Sequence, residues 1–211
     1  MMTREQRQFI QVVAALTMLI DHIGAVFFPT VMGFRAIGRL SFPLFAFGIA
    51  QGVTYTSDFK KYFSRILISA VLSQPIYWNL FGLTKLNPLF MLAWGAAALY
   101  FWRQEKKMIA GILLVGSAFV EMSYGWYGVW TIFFFGFYHT TESLCFYGQV
   151  ILNVLYGLKT GAWIQILSLF SFSFLDGKWR IPALSKKLPR YFFYVFYPLH
   201  LSLLWGIKSI I

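Results

Sequence analysis

The stretch MLIDHIGAVFFP, Met18 to Pro29, sets an acid beside a histidine inside an apolar run that begins near Phe9. The run has about the 20 residues that a helix needs to cross a bilayer. Ionisable groups at that depth cost about 2.5 to 3.5 kcal/mol each on insertion scales, so Asp21 and His22 are expected to face a bundle interior and serve function. No small-residue cleavage site follows the run, and the expectation is that it stays as helix one rather than being removed as a signal peptide.

Composition carries the membrane reading through the rest of the chain. Of 211 residues, 59% are hydrophobic, 21% aromatic and only 12% charged, against about 25% charged in an ordinary soluble domain. No linker, low-complexity tract or repeat divides the chain, so residues 1–211 are expected to form a single domain. The one cysteine, Cys145, has no intrachain partner and reads as a small buried hydrophobe.

Nine apolar runs follow one another, at about 8–28, 34–55, 62–81, 87–102, 108–121, 126–140, 143–158, 161–176 and 190–209. Backbone groups in hydrocarbon must be satisfied within their own segment, so helix is the expected form. The expected fold is therefore all-α, a polytopic membrane bundle of about nine transmembrane helices. The runs at 108–121 and 126–140 are the shortest on signal and could form one broken or re-entrant element.

The net charge of +11 is distributed as a topology signal. With a cytoplasmic N-terminus, loops on that side hold Arg4, Arg7, Lys60, Lys61, Arg103, Lys106, Lys107, Lys178, Arg180, Lys186, Lys187 and Arg190. The other side holds Lys85, Lys159 and Lys208. That bias of 12 to 3 follows the positive-inside rule and leaves no need for a nucleic-acid partner. Membrane lipids are the expected surroundings, and the basic loops would attract an anionic ligand or lipid to the cytoplasmic face.

Subtracting the loops leaves Asp21, His22, Arg35, Arg39, Gln51, Arg65, Gln74 and His200 at membrane depth. Arg35 and Arg39 are four apart and share one face of the second helix at its outer end. His22 lies about 9 Å from the outer end of the first, at 1.5 Å per residue. A short connection through Thr30 to Gly33 makes these helices antiparallel neighbours, so Asp21 should meet an arginine. His22, about 100° round the helix, should point elsewhere. One carboxylate does not balance two guanidiniums, and the surplus suits an anion or an oxyanion. A purely structural ion-pair cluster would account for the same residues.

In the last run, RYFFYVFYPLHLSLLW from Arg190 to Trp205, Tyr194, Tyr197 and His200 recur every three residues beside Pro198, which can kink the helix. The stripe reads either as packing or as a second part of a site.

MLIDHIGAVFFP, FRAIGRLSFPLFAFGIAQG at Phe34 to Gly52, and FYVFYPLHLSLLW at Phe193 to Trp205 together resemble the TraX family of membrane acetyltransferases. The intervening SRILISAVLSQPIYW, LNPLF and YGWYGVW are similar to family segments too. One departure is Gln51, where many TraX-like sequences carry an acid. The family is named for the protein that acetylates the N-terminus of F pilin, and it resembles the broader membrane acyltransferases with an essential histidine in an early helix. The resemblance implies acetyl-CoA as co-substrate and an exported peptide or glycan acceptor at a bacterial inner membrane.

Under that reading His22 is the general base and Asp21 orders its surroundings. Arg35, Arg39, Gln51, Tyr194, Tyr197 and His200 are candidates for oxyanion or substrate binding. Lys60, Lys61, Arg65, Arg103 and Lys106 are candidates for the phosphates of CoA. Three scattered histidines and one cysteine show no metal-ligand spacing. Two other classes remain open: a small transporter, which should show two matching halves with interrupted helices, and an assembly factor without turnover, whose ion pairs would line no cavity.

Overall fold

A computed structural model describes residues 3–82, 84–175 and 191–210, and all named elements within them are helical. Lys178, Arg180, Lys186, Lys187 and Arg190, counted above among the loop cations, lie outside the described residues. Each of the nine apolar runs has a helical counterpart. The elements are α1 (Arg4–Phe27), α2 (Met32–Gly38), α3 (Ser41–Tyr55), α4 (Phe59–Phe81), α5 (Pro88–Arg103) and α6 (Lys107–Gly116). They continue with α7 (Gly125–Phe135), α8 (Glu142–Thr160), a 3₁₀ segment (Trp163–Ser171), α9 (Phe172–Leu175) and α10 (Phe192–Lys208).

Local chemistry sets these boundaries. Thr3 and Gln6 open α1 with a capping box, each side chain accepting from the other's backbone N–H. Asp58 caps α4 by accepting from the Lys61 N–H at 3.0 Å, and that bond holds its carboxyl below the usual carboxylate range. Asn87 caps α5 ahead of Pro88, whose missing N–H costs nothing in a first turn. Gly82 and Gly161 end α4 and α8 with φ of +62° and +72°, a conformation that a residue with a Cβ resists.

The run expected as one helix from 34 to 55 is two, α2 and α3, interrupted at Arg39 and Leu40. The run at 161–176 is mostly 3₁₀ helix. In that geometry residues three apart eclipse one another, which puts Gln165, Ser168 and Ser171 on one buried line.

α1 packs on α2, α3 and α10, while α4 packs on α5 and α10. On the far side α5 rests on α6 and α7, α7 on α8, and α8 on the 3₁₀ segment. Hydrophobic side chains face outward in bands: Ile68, Val71 and Leu72 on α4, and Val195, Leu199 and Leu203 on α10, are all more than half exposed. Polar groups take the inside, with Ser73, Asn87, Thr131, Gln149, Gln165 and Ser171 at 0–1% exposure. Soluble proteins rarely expose apolar bands of this extent. Among the described residues, two stretches, Glu5–Phe27 and Met32–Tyr55, are long and apolar enough to cross a membrane.

Candidate functional site

The site forms where α1 and α2 cross. Two glycines permit the crossing: a Cβ on Gly24 would overlap Phe34, and a Cβ on Gly38 would overlap the Asp21 carboxylate. With both hydrogens in place of side chains, α2 settles against α1 and brings its arginines to Asp21. Arg35 Nη1 donates to Asp21 Oδ2 at 2.8 Å, and Arg39 Nη2 to Asp21 Oδ1 at 3.4 Å. Asp21 thus meets both arginines, where the sequence promised one.

The break between α2 and α3 gives Arg39 its reach. Its Nε donates to the Arg35 carbonyl at 3.2 Å and its Nη1 to Gln165 Oε1 at 3.0 Å, so it is held from three directions. Gln165 passes the contact on to the Tyr127 hydroxyl, which lies against Ser168 and Asn153. A buried polar chain therefore runs from α1 through the 3₁₀ segment to α7 and α8. Sequence reading missed these residues. Their one signal was the three-residue polar repeat Gln165, Ser168, Ser171 in an apolar run.

His22 points away from the ion pairs, as the angle between neighbouring helical residues requires. Its Nδ1 lies 2.8 Å from His200 Nε2, with the two ring planes only 9° apart. Phe81 meets the His22 ring edge-on at a centroid distance of 5.2 Å and Tyr197 at 6.5 Å. His200 is itself anchored, its Nδ1 lying 2.8 Å from the Phe196 carbonyl oxygen. The carbonyl that Pro198 leaves free is satisfied as well. Pro198 has no N–H to give the Tyr194 carbonyl, and Ser69 Oγ of α4 donates to that carbonyl at 2.8 Å instead.

A cavity of about 460 Å³ ends at Asp21 and His22. It begins between the first turns of α1 and the end of α3, at Arg7, Tyr55 and Thr56, and follows α1 through Gln11, Ala14 and Met18. From Arg7 to His22 that wall is about 22 Å long at the helical rise. Its lining is mainly apolar, with Ser41, Gln51 and Ser69 spaced along it.

Gln51, Tyr194 and Tyr197 line this cavity, and Gln51 Oε1 is held 3.0 Å from His139 Nε2, a contact the sequence did not suggest. Arg35 and Arg39 do not line it; Asp21 stands between them and the space. The expected phosphate ligands are dispersed and none lines the cavity. Lys60 and Lys61 sit in the first turn of α4, with Lys61 3.3 Å from Asp58. Arg65 covers the Tyr191 ring, Arg103 donates to the Gly136 carbonyl, and Lys106 lies over Phe101. Arg7, which sequence reading counted only toward topology, is the cation that lines the cavity, at its end beside the first turns of α1. No group of three or more His, Cys, Asp or Glu placed to hold a metal occurs among the described residues.

The chain is 27% identical, over 94% of its own length and 94% of the other's, to the probable fimbrial assembly protein FimC, serogroup H1, of Dichelobacter nodosus. No solved structure matches it. The sequence model of the TraX protein family matches residues 6–208, nearly the whole length that carries α1 to α10, and the chain belongs to the TraX family.

Proposed function

We propose that this protein is a multi-pass acetyltransferase of a bacterial inner membrane, with its N-terminus in the cytoplasm. It moves an acetyl group from acetyl-CoA to an amine or hydroxyl of an exported acceptor. A pilin-like peptide is the first acceptor to test, because the relative with 27% identity is named as a fimbrial assembly protein.

One observation carries the reading: a largely apolar cavity runs along α1 from Arg7 to a histidine beside a buried ion-pair cluster. An acyl-CoA brings a long thin arm ending in a thioester. The cavity offers such an arm a wall of about 22 Å, with Arg7 at one end, where CoA phosphates would lie, and His22 at the other. There the acceptor's N–H or O–H proton passes to His22 as its nitrogen or oxygen attacks the thioester carbonyl. The new bond forms, the carbon–sulfur bond breaks, and His22 returns the proton to the departing thiolate. Asp21, Arg35 and Arg39 together carry one net positive charge, with the two arginines behind Asp21, so the cluster would favour the developing oxyanion through its net field rather than by direct contact, and its mutual contacts fix that charge in place.

The assembly-factor reading keeps one observation in its favour, the pairing of both arginines with Asp21 rather than with open space. It leaves the cavity and His22 without a task. Purified protein incubated with labelled acetyl-CoA and membranes or pilin-like peptides, followed by mass spectrometry, decides between them. The expected result is one acetylated acceptor with wild-type protein and none with His22→Ala. Absence of transfer by the wild type, or full turnover by the variant, would rule out acetyl transfer with His22 as its base.

A further inference from the structure

We propose that His200 is a positioning residue that fixes the tautomer of His22 and thereby makes His22 Nε2 the basic atom. The inference rests on the acetyltransferase reading for its consequence, though not for its geometry.

A chain of hydrogen bonds with a defined direction carries it. A backbone carbonyl oxygen only accepts, so the 2.8 Å contact between His200 Nδ1 and the Phe196 oxygen requires a hydrogen on Nδ1. In a neutral imidazole the other nitrogen, Nε2, then holds a lone pair. His22 Nδ1 lies 2.8 Å from that lone pair and must supply the hydrogen. His22 Nε2 is left unprotonated. With the nitrogens 2.8 Å apart, the ring centroids 5.0 Å apart and the planes 9° from parallel, the two rings lie nearly end to end in one plane, so the shared hydrogen lies along the nitrogen lone pair.

The alternative is a doubly protonated His200 donating from both nitrogens. It would add a third cation to a buried site where Arg35 and Arg39 already share the one carboxylate of Asp21. The direct chain is the cheaper state. Phe196 keeps the ring of His200 from turning, since the two rings stack at 4.9 Å with planes 15° apart. Ser69 holds the backbone of α10 to α4 at the Tyr194 carbonyl, two residues upstream of Phe196.

The order carbonyl, His200, His22, acceptor has the logic of a catalytic triad, with a neutral imidazole in place of the orienting carboxylate. The acceptor's proton goes to His22 Nε2 and later to the thiolate. His200 neither gains nor loses one; it accepts a stronger hydrogen bond while His22 is charged.

Nitrogen-15 NMR of histidine-labelled protein in detergent, paired with kinetics, tests this. In the wild type, His22 is expected to carry its hydrogen on Nδ1, and in His200→Ala to shift toward Nε2–H. Acetyl transfer by His200→Ala should fall about 10²- to 10⁴-fold in kcat, with KM for acetyl-CoA unchanged and the pH–rate profile displaced. His200→Gln, whose side-chain oxygen can accept from His22 Nδ1–H, should recover at least about tenfold over the alanine variant. An Nε2–H tautomer of His22 in the wild type overturns the proposal, as does equal activity of the two variants or a loss confined to KM. A wild type with the assigned tautomer and no transfer would instead sink the acetyltransferase reading alone, because the NMR result does not depend on turnover.

Discussion

The backbone of Gly38 lies directly against the carboxylate of Asp21, with no room between them for a methyl group. This contact decides how far α2 can approach α1, and so whether Arg35 and Arg39 reach their partner. Gly38→Ala would gain helix propensity but must push Asp21 aside. Overpacking of this kind costs about 1 to 3 kcal/mol. We expect lower thermal stability in detergent together with loss of acetyl transfer, whereas unchanged stability would mean that the two helices can separate freely.

The two arginines should not be equivalent. Arg39 is buried and bonded to Asp21, Gln165 and the Arg35 carbonyl, while the Arg35 side chain is 33% exposed and pairs with Asp21. Removing one partner of a buried pair costs about 3 to 5 kcal/mol. Arg39→Ala should approach that range and Arg35→Ala should fall well short of it, because solvent takes over part of the lost contact. Adding Asp21→Asn should restore part of the folding of either variant and none of its turnover. Equal destabilisation by both arginine variants would contradict the difference in burial.

Tyr197 presents the reverse case. Its hydroxyl is buried with no hydrogen-bond partner among the described residues, while its ring packs against His22 and His200. An unsatisfied buried donor costs about 1 to 3 kcal/mol. Tyr197→Phe keeps the ring and should leave the ligand-free protein as stable as the wild type or about 1 kcal/mol more stable, read from thermal denaturation. A clear loss of stability would show that the hydroxyl has a partner in the folded protein.

What could be read in advance follows from the range of each interaction. Asp21 and the arginines are joined by a short turn, so helical spacing and antiparallel packing were enough to foresee their meeting. His22 and His200 are 178 residues apart, and only the packing of α1 on α10 brings their nitrogens to 2.8 Å. Hydrophobic patterning says which face of each helix is buried, but not which helices are neighbours. The 3₁₀ segment was hidden for another reason: over nine residues, polar positions at spacings of three fit a 3₁₀ and an α-helical period about equally well. The break at Arg39 was masked because Ile37, Leu40 and Phe42 keep the run apolar straight through it.

Orientation is open to direct test. With the N-terminus cytoplasmic, a reporter fused after Ile211 should be extracytoplasmic and one inserted between Ser57 and Lys61 cytoplasmic. The distribution of 12 loop cations against 3 motivates this. Both reporters on one side would change the number of spans by one, and the ten-residue α6 would be the first element to drop.

The cavity itself can be tested through Gly48 of α3, which lines it and whose added Cβ would meet nothing within 4 Å. A side chain there grows into empty space rather than into a neighbour. Gly48→Ala should raise stability by about 0.5 to 1 kcal/mol, since glycine is a poor residue for a helix interior. Gly48→Leu and Gly48→Phe should keep most of that gain while filling progressively more of the space assigned to the acyl-CoA arm. KM for acetyl-CoA should therefore rise in the order Ala, Leu, Phe while the folded fraction stays constant, a separation that a packing defect would not produce. If the phenylalanine variant folded normally and turned over acetyl-CoA like the wild type, the arm would have to enter by another route, and the cavity along α1 would lose its role as the donor site.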